Sequence, residues 1–138
     1  MKNYELFIQE SFDALEVLFD RIDNLLSDLR TDGMYMRYNE EIGNEEYYTF
    51  IKNTYDELSD NICKMCHTIG PMISETEEAI EEKTDHRTSV IAEFASVNLV
   101  FYMKKHKIYT ELYEEFKFFS EEAEEYFSKN SKNTSTNF

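Results

Sequence analysis

The chain is poor in residues that break or cross-link a fold. Its 138 residues include one proline and three glycines, all within the first 71 positions, two cysteines and no tryptophan. So little turn chemistry excludes a hairpin-rich β fold and points to long helices. Two cysteines cannot make a disulfide-stapled scaffold, and reduced thiols in a cytoplasmic protein are the expectation. Basic residues are scarce as well: 14 Lys and Arg against 29 Asp and Glu leave a net charge of −15. That balance argues against direct binding to nucleic acid or to an anionic membrane, because affinity for phosphate rests on Lys and Arg. No apolar run is long enough to span a bilayer, and the opening MKNYELFIQESFD lacks the apolar stretch of a secretory signal.

What is present is helical periodicity. A hydrophobic content of 41% with 15% aromatics excludes a fully disordered chain, and 138 residues suffice for one domain with its own core. From about Asn3, a plausible N-cap, to Arg30, the seam Ile8, Phe12, Leu15, Phe19, Ile22, Leu26 and Leu29 alternates spacings of 4 and 3. Leu18 and Leu25 widen it as a bundle helix requires. Asp32-Gly33 reads as its stop, and Gly33 to Gly43 as a loop carrying Tyr35, Met36 and Tyr38.

A second helix opens at Asn44, packs through Ile51, Tyr55, Leu58, Ile62, Met65 and Ile69, and is expected to stop at Gly70-Pro71. Ser74 and Glu77 have capping-box spacing for the next helix. A single helix from Ser74 to Ser128 would be about 80 Å long beside partners of about 40 Å. A break is therefore expected near Lys104-Lys105-His106-Lys107, with a kink near Thr84-Asp85-His86. Val90, Ile91, Phe94, Val97 and Phe101 read as the core face of a third helix, and Tyr109, Leu112, Phe116, Phe119, Ala123 and Tyr126 as that of a fourth. Residues 130–138 are polar and expected to be disordered. The expected architecture is all-α: one domain over 1–129, a compact bundle of about four roughly antiparallel helices.

Three constellations carry candidate chemistry. Cys63, Cys66 and His67 stand at i, i+3 and i+4, so one helical stretch offers two thiolates and an imidazole. Zinc is the candidate cofactor; it usually takes four such ligands, the fourth coming from His86, His106, a carboxylate or a second copy of the chain. The same stretch has the Cys-x-x-Cys-His form of covalent haem sites, which the lack of an export signal argues against. A thioredoxin-like role is disfavoured because the cysteines lie toward a helix C-terminus, where the dipole opposes the thiolate. Glu57-Leu-Ser-Asp60 supplies half of the acid pattern of MazG-like all-α nucleotide pyrophosphatases. The pairs Glu75/Glu78 and Glu121/Glu124 follow it rather than precede it.

The acidic runs are the third constellation. Glu75, Glu77, Glu78, Glu81 and Glu82 form one, and seven glutamates between Glu111 and Glu125 form another. Like charges at i, i+3 and i+4 cost a helix a few tenths of a kcal/mol per pair, so the excess favours a surface meant for a basic partner. In size and charge the chain resembles small acidic inhibitors of phages and mobile elements, anti-CRISPR proteins among them. That resemblance is one of composition alone. It implies a non-enzymatic protein that fills the basic groove of a nucleic-acid-handling partner. Tyr35, Met36 and Tyr38, in a loop whose composition is enriched at binding surfaces, are a second candidate contact surface.

Overall fold

Apolar seams decide how far each helix runs. The computed structural model describes residues 4–82 and 86–136, with side chains at 6–81, 90 and 93–130. Its elements are α1 (Tyr4–Ser27), a π-helical turn (Asp28–Asp32), α2 (Gly33–Tyr38), α3 (Asn44–Glu82), α4 (His86–Glu115) and α5 (Lys117–Thr136). They join end to end into three helical rods rather than four: α1 through α2, α3 alone, and α4 with α5. Asn3, Thr84 and Asp85, named above for a cap and a kink, lie outside the described residues.

The seam of α3 is Ile51, Tyr55, Leu58, Ile62, Met65, Ile69, Met72, Thr76 and Ala79, all buried. It alternates spacings of 4 and 3 without a slip, straight across Gly70-Pro71. The expected stop is therefore absent, and Pro71 sits inside the helix. An internal proline costs about 3 kcal/mol and a glycine about 1. Burying Met72 alone offsets about 1.5–3 kcal/mol, and the rest of the terminal seam adds to it. Both breakers lie on the exposed side, so the lost backbone hydrogen bond faces water. Ser74 and Glu77 are consequently mid-helix residues and form no capping box.

The first rod behaves the same way. Ile8, Leu15, Leu18, Phe19, Ile22, Leu25, Leu26 and Leu29 are buried, as their periodicity predicts. Asp32-Gly33 is no stop: the Gly33 N–H bonds back to the Asp28 carbonyl, a five-residue step that carries the helix on. The seam then continues through buried Gly33 to Met36, which packs against the core. A Cβ on Gly33 would stand 3.3 Å from Ile51 Cδ1, so glycine serves close helix approach here. The chain turns only after Tyr38. Asn39 leaves the helix at φ −94°, ψ 108°, and its side chain accepts the Glu41 N–H at 3.0 Å. Then α3 opens at Asn44, as expected, with Glu45 and Glu46 in its first turn.

Contacts fix the topology. Tyr48 stacks on Tyr126, Tyr55 on Tyr113, and Cys66 meets His106, so the third rod runs antiparallel to α3. Glu16 meets Tyr102 and Asp23 meets Tyr109, so α4 runs parallel to α1. The result is an up-down-up bundle in which α3 touches every other element. The break expected at Lys104–Lys107 is absent because α3, at 39 residues, is about 58 Å long and partners the third rod over most of its length. The irregularity falls instead at Phe116, whose carbonyl accepts the Phe119 N–H at 3.0 Å in a tighter turn. Along the rest of that rod Tyr109, Phe119 and Ala123 are buried, while Leu112 and Phe116 pack against the core. At its far end α5 runs to Thr136, and the side chains of residues 131–138 lie outside the described residues.

One expected core face is turned outward. Val90 is 49% exposed, Phe94 71%, Val97 73% and Phe101 61%; the side chain of Ile91 lies outside the described residues. The buried side of α4 is Ala95, Leu99 and Tyr109. With only α1 and α3 to face, α4 has one apolar stripe more than it has neighbours.

Helix continuity through the breaker is testable at Gly70, which is exposed and has nothing within 4 Å of a Cβ placed there. Gly70→Ala should stabilise the protein by about 0.5–1 kcal/mol in urea unfolding followed by circular dichroism. A loss of stability would mean that the helix does not pass this point.

Candidate acidic surface

An acid follows four successive residues of the α1 seam: Phe12-Asp13, Leu15-Glu16, Phe19-Asp20 and Ile22-Asp23. A step of about 100° places the acids in a row beside the seam, on the flank where α4 lies. All four are exposed. Two are held by phenols from α4: the Tyr102 hydroxyl donates to Glu16 Oε1 at 3.0 Å, and the Tyr109 hydroxyl to Asp23 Oδ1 at 2.8 Å.

The rings beneath fix those donors. Tyr102 lies 5.0 Å from Phe12 and 5.4 Å from Phe19, and Tyr109 lies 5.4 Å from Phe19. Lys105 Nζ stands 5.2 Å over the Phe19 ring and 5.6 Å over that of Phe101. Burial, then the hydrogen bond and charge of Glu16 and the charge of Asp13, push Tyr102 up to about 12. Burial, then the bond to Asp23 and the charges of Asp23 and Asp20, push Tyr109 up as well. Both phenols thus remain hydrogen-bond donors through the neutral range. The row spans about 15 Å with a carboxylate about every 5 Å, suited to a line of ammonium or guanidinium groups.

Reading runs of glutamate missed this row, although its signal was present: an acid one position after successive seam residues. Of the run that was singled out, Glu77 and Glu81 are exposed, Glu75 and Glu78 are half-buried, and the side chain of Glu82 lies outside the described residues. At the other end, Tyr35 is 66% and Tyr38 74% exposed, bordering a shallow recess with Met34 and residues 39–41. Met36 is half-buried and packs against the core, and it does not line that recess. Glu75 lies about 45 Å along α3 from its start beside Tyr38, so the two sites are separate surfaces.

The cysteine stretch acquires one partner. Cys63, Cys66 and His67 are all exposed, and of the three Cys66 shares a hydrogen bond with His106, Sγ to Nε2 at 3.2 Å. Burial, then the nearby Cys63, push the Cys66 thiol up. Among the described residues no three or more His, Cys, Asp or Glu converge to hold a metal ion. Glu57/Asp60 and Glu75/Glu78 share α3 and stand about 27 Å apart, so they do not form a common site. Among the described residues no helix is long and apolar enough to cross a membrane.

The tyrosine anchors make a pH prediction. The folded protein holds the Tyr102 proton more tightly than the unfolded chain, so this contribution is complete below about pH 10 and is lost as pH rises toward 12. Glu16→Gln should lower the Tyr102 midpoint in an ultraviolet titration; an unchanged midpoint would dissociate the phenol from that carboxylate. No protein-family model, curated protein or solved structure matches this chain.

Proposed function

We propose that this protein is a non-enzymatic, cytoplasmic binding protein that fills the basic groove of a nucleic-acid-handling protein by imitating a polyanion. The anti-defence inhibitors of phages and mobile elements, such as those of CRISPR nucleases, are the kind of protein meant. The observation that supports the reading most is the row Asp13, Glu16, Asp20 and Asp23, anchored by Tyr102 and Tyr109. A partner's lysines and arginines would meet a row in which Glu16 and Asp23 are already held, which removes part of the entropic cost of association. The exposed Glu111, Glu114, Glu115, Glu121, Glu124 and Glu125 of the third rod, with Glu77 and Glu81 of α3, extend the negative field. A net charge of −15 steers such a partner from a distance and raises the rate of encounter.

The reading is tested by asking whether the protein displaces a labelled duplex from purified nucleases, RNA-guided ones included. Displacement should weaken at least about tenfold between 50 and 200 mM salt. Replacing Asp13, Glu16, Asp20 and Asp23 by their amides should weaken it by about tenfold or more at low salt. Displacement indifferent to both the substitutions and the salt would sink the proposal.

A second reading, zinc held at the Cys63-Cys66-His67 stretch, draws support from the approach of His106 to Cys66. His106 would then be the fourth ligand beside Cys63, Cys66 and His67, a set that would have to close around the ion, since no three of them converge without it. Alkylation followed by peptide mass mapping separates this from a bare thiol. Without metal, Cys66 should react more slowly than a free cysteine peptide, because its thiol is pushed up by burial and by Cys63. Added zinc should then protect both cysteines in the native protein but not in His106→Ala; protection unaffected by that substitution would remove His106 from the site.

A further inference from the structure

The outer stripe of α4 is a second, chemically distinct surface. Val90, Phe94, Val97, Phe101 and Ile108 follow one another at 4, 3, 4 and 7 residues, the spacing of a coiled-coil seam. Each is between 49% and 73% exposed. The stripe points away from α3, opposite the buried Ala95 and Leu99. It lies in a stretch poor in acids: residues 86–110 contain a single acid, Glu93, with Lys104, Lys105 and Lys107 toward the far end. A free apolar seam of this length on a monomer is uncommon.

We propose that this stripe is the interface of a homodimer in which α4 of a second copy lies antiparallel across it. Charge decides both the occupant and the direction. In a parallel pair Lys104 to Lys107 would face their own copies. In an antiparallel pair with Val97 opposite Phe101 of the second copy, Val90 lies opposite Ile108 and Phe94 opposite the aliphatic stem of Lys104. The flanking Glu93 then faces Lys107 of the other copy, twice over by symmetry. A phenylalanine carries about 200 Å² of surface, so the five side chains expose roughly 500 Å² per copy. Two such stripes with their charged flanks reach the roughly 1,200 Å² at which specific interfaces begin. The general repulsion between two chains of −15 acts beyond a Debye length of about 8 Å at physiological salt and is screened there.

The test uses the full chain and two readouts. Sedimentation velocity should show a dimer at about 10 μM that persists at high salt, unlike the groove binding proposed above, which salt weakens. Phe94→Glu with Phe101→Glu should raise its dissociation constant at least tenfold while leaving the helical circular dichroism unchanged, both residues being exposed. Zero-length carbodiimide coupling should join Glu93 to Lys107. Within one chain these residues lie about 21 Å apart on one helix, so this link reports only an antiparallel partner. A monomer at 100 μM, a dimer untouched by the double substitution, or a dimer without the Glu93–Lys107 link would each overturn the proposal. A wild-type chain that is monomeric until vesicles or another protein's helix is added would assign the stripe to that occupant and equally overturn it. None of these outcomes bears on the acidic row, which is read by displacement of nucleic acid.

Discussion

The nine-position seam of α3, from Ile51 to Ala79, is the constraint on which the fold depends. Among the described residues, α3 is the element that all the others contact. Because it keeps its 4-and-3 rhythm across Gly70-Pro71, the helix keeps its direction there, and a partner on either side can stay in register over about 58 Å. Two local breakers worth about 4 kcal/mol lie within a helix whose seam gains that several times over. The extra residue of the π turn at Asp28–Asp32 serves the same end, bringing Gly33 and Met36 onto the seam line against Ile51.

Where the sequence was legible, it was through seams. The α1 seam and its widening by Leu18 and Leu25, the opening of α3 at Asn44, and the inward faces of Tyr109, Phe119 and Ala123 all follow from period and capping chemistry. The departures share one origin. Treating Gly70-Pro71 as a stop made the partners of the last rod seem about 40 Å long, and that length then demanded a break at Lys104–Lys107 which the molecule does not have. A breaker is a local signal of fixed cost, whereas a seam is a sum, and its continuation through Met72, Thr76 and Ala79 was the better guide. The stripe of α4 was misjudged for a different reason. Period shows that Val90, Phe94, Val97 and Phe101 share a face, but not whether a neighbour covers it.

The same shortage of neighbours shapes both surfaces. With one flank on α3 and another on α1, α4 offers Tyr102 and Tyr109 to the acids of α1 and leaves its third face to solvent. The aromatic layer between α1 and α4 therefore has two roles. Phe12 and Phe19 bury the rings, and the phenols project just far enough to order Glu16 and Asp23. An acidic row built this way is tied to core packing. A loop of glutamates could carry the same charge but would have to be ordered on binding.

The two proposed surfaces also constrain each other. Tyr102, Lys105 and Tyr109 put α1 on the Lys105 flank of α4. In an antiparallel pair of α4 helices, like flanks meet like flanks across the two-fold axis. The α1 helix of each copy would then stand on the same side of the dimer, and their carboxylate rows would run in opposite directions. Two antiparallel lines of negative charge on one face have the polarity of the two strands of a duplex, which a single copy does not. Dimerisation through the apolar stripe would set two such rows side by side, but each row is complete within one copy, held by that copy's own Tyr102 and Tyr109, so the dimer would double the charged surface without creating it.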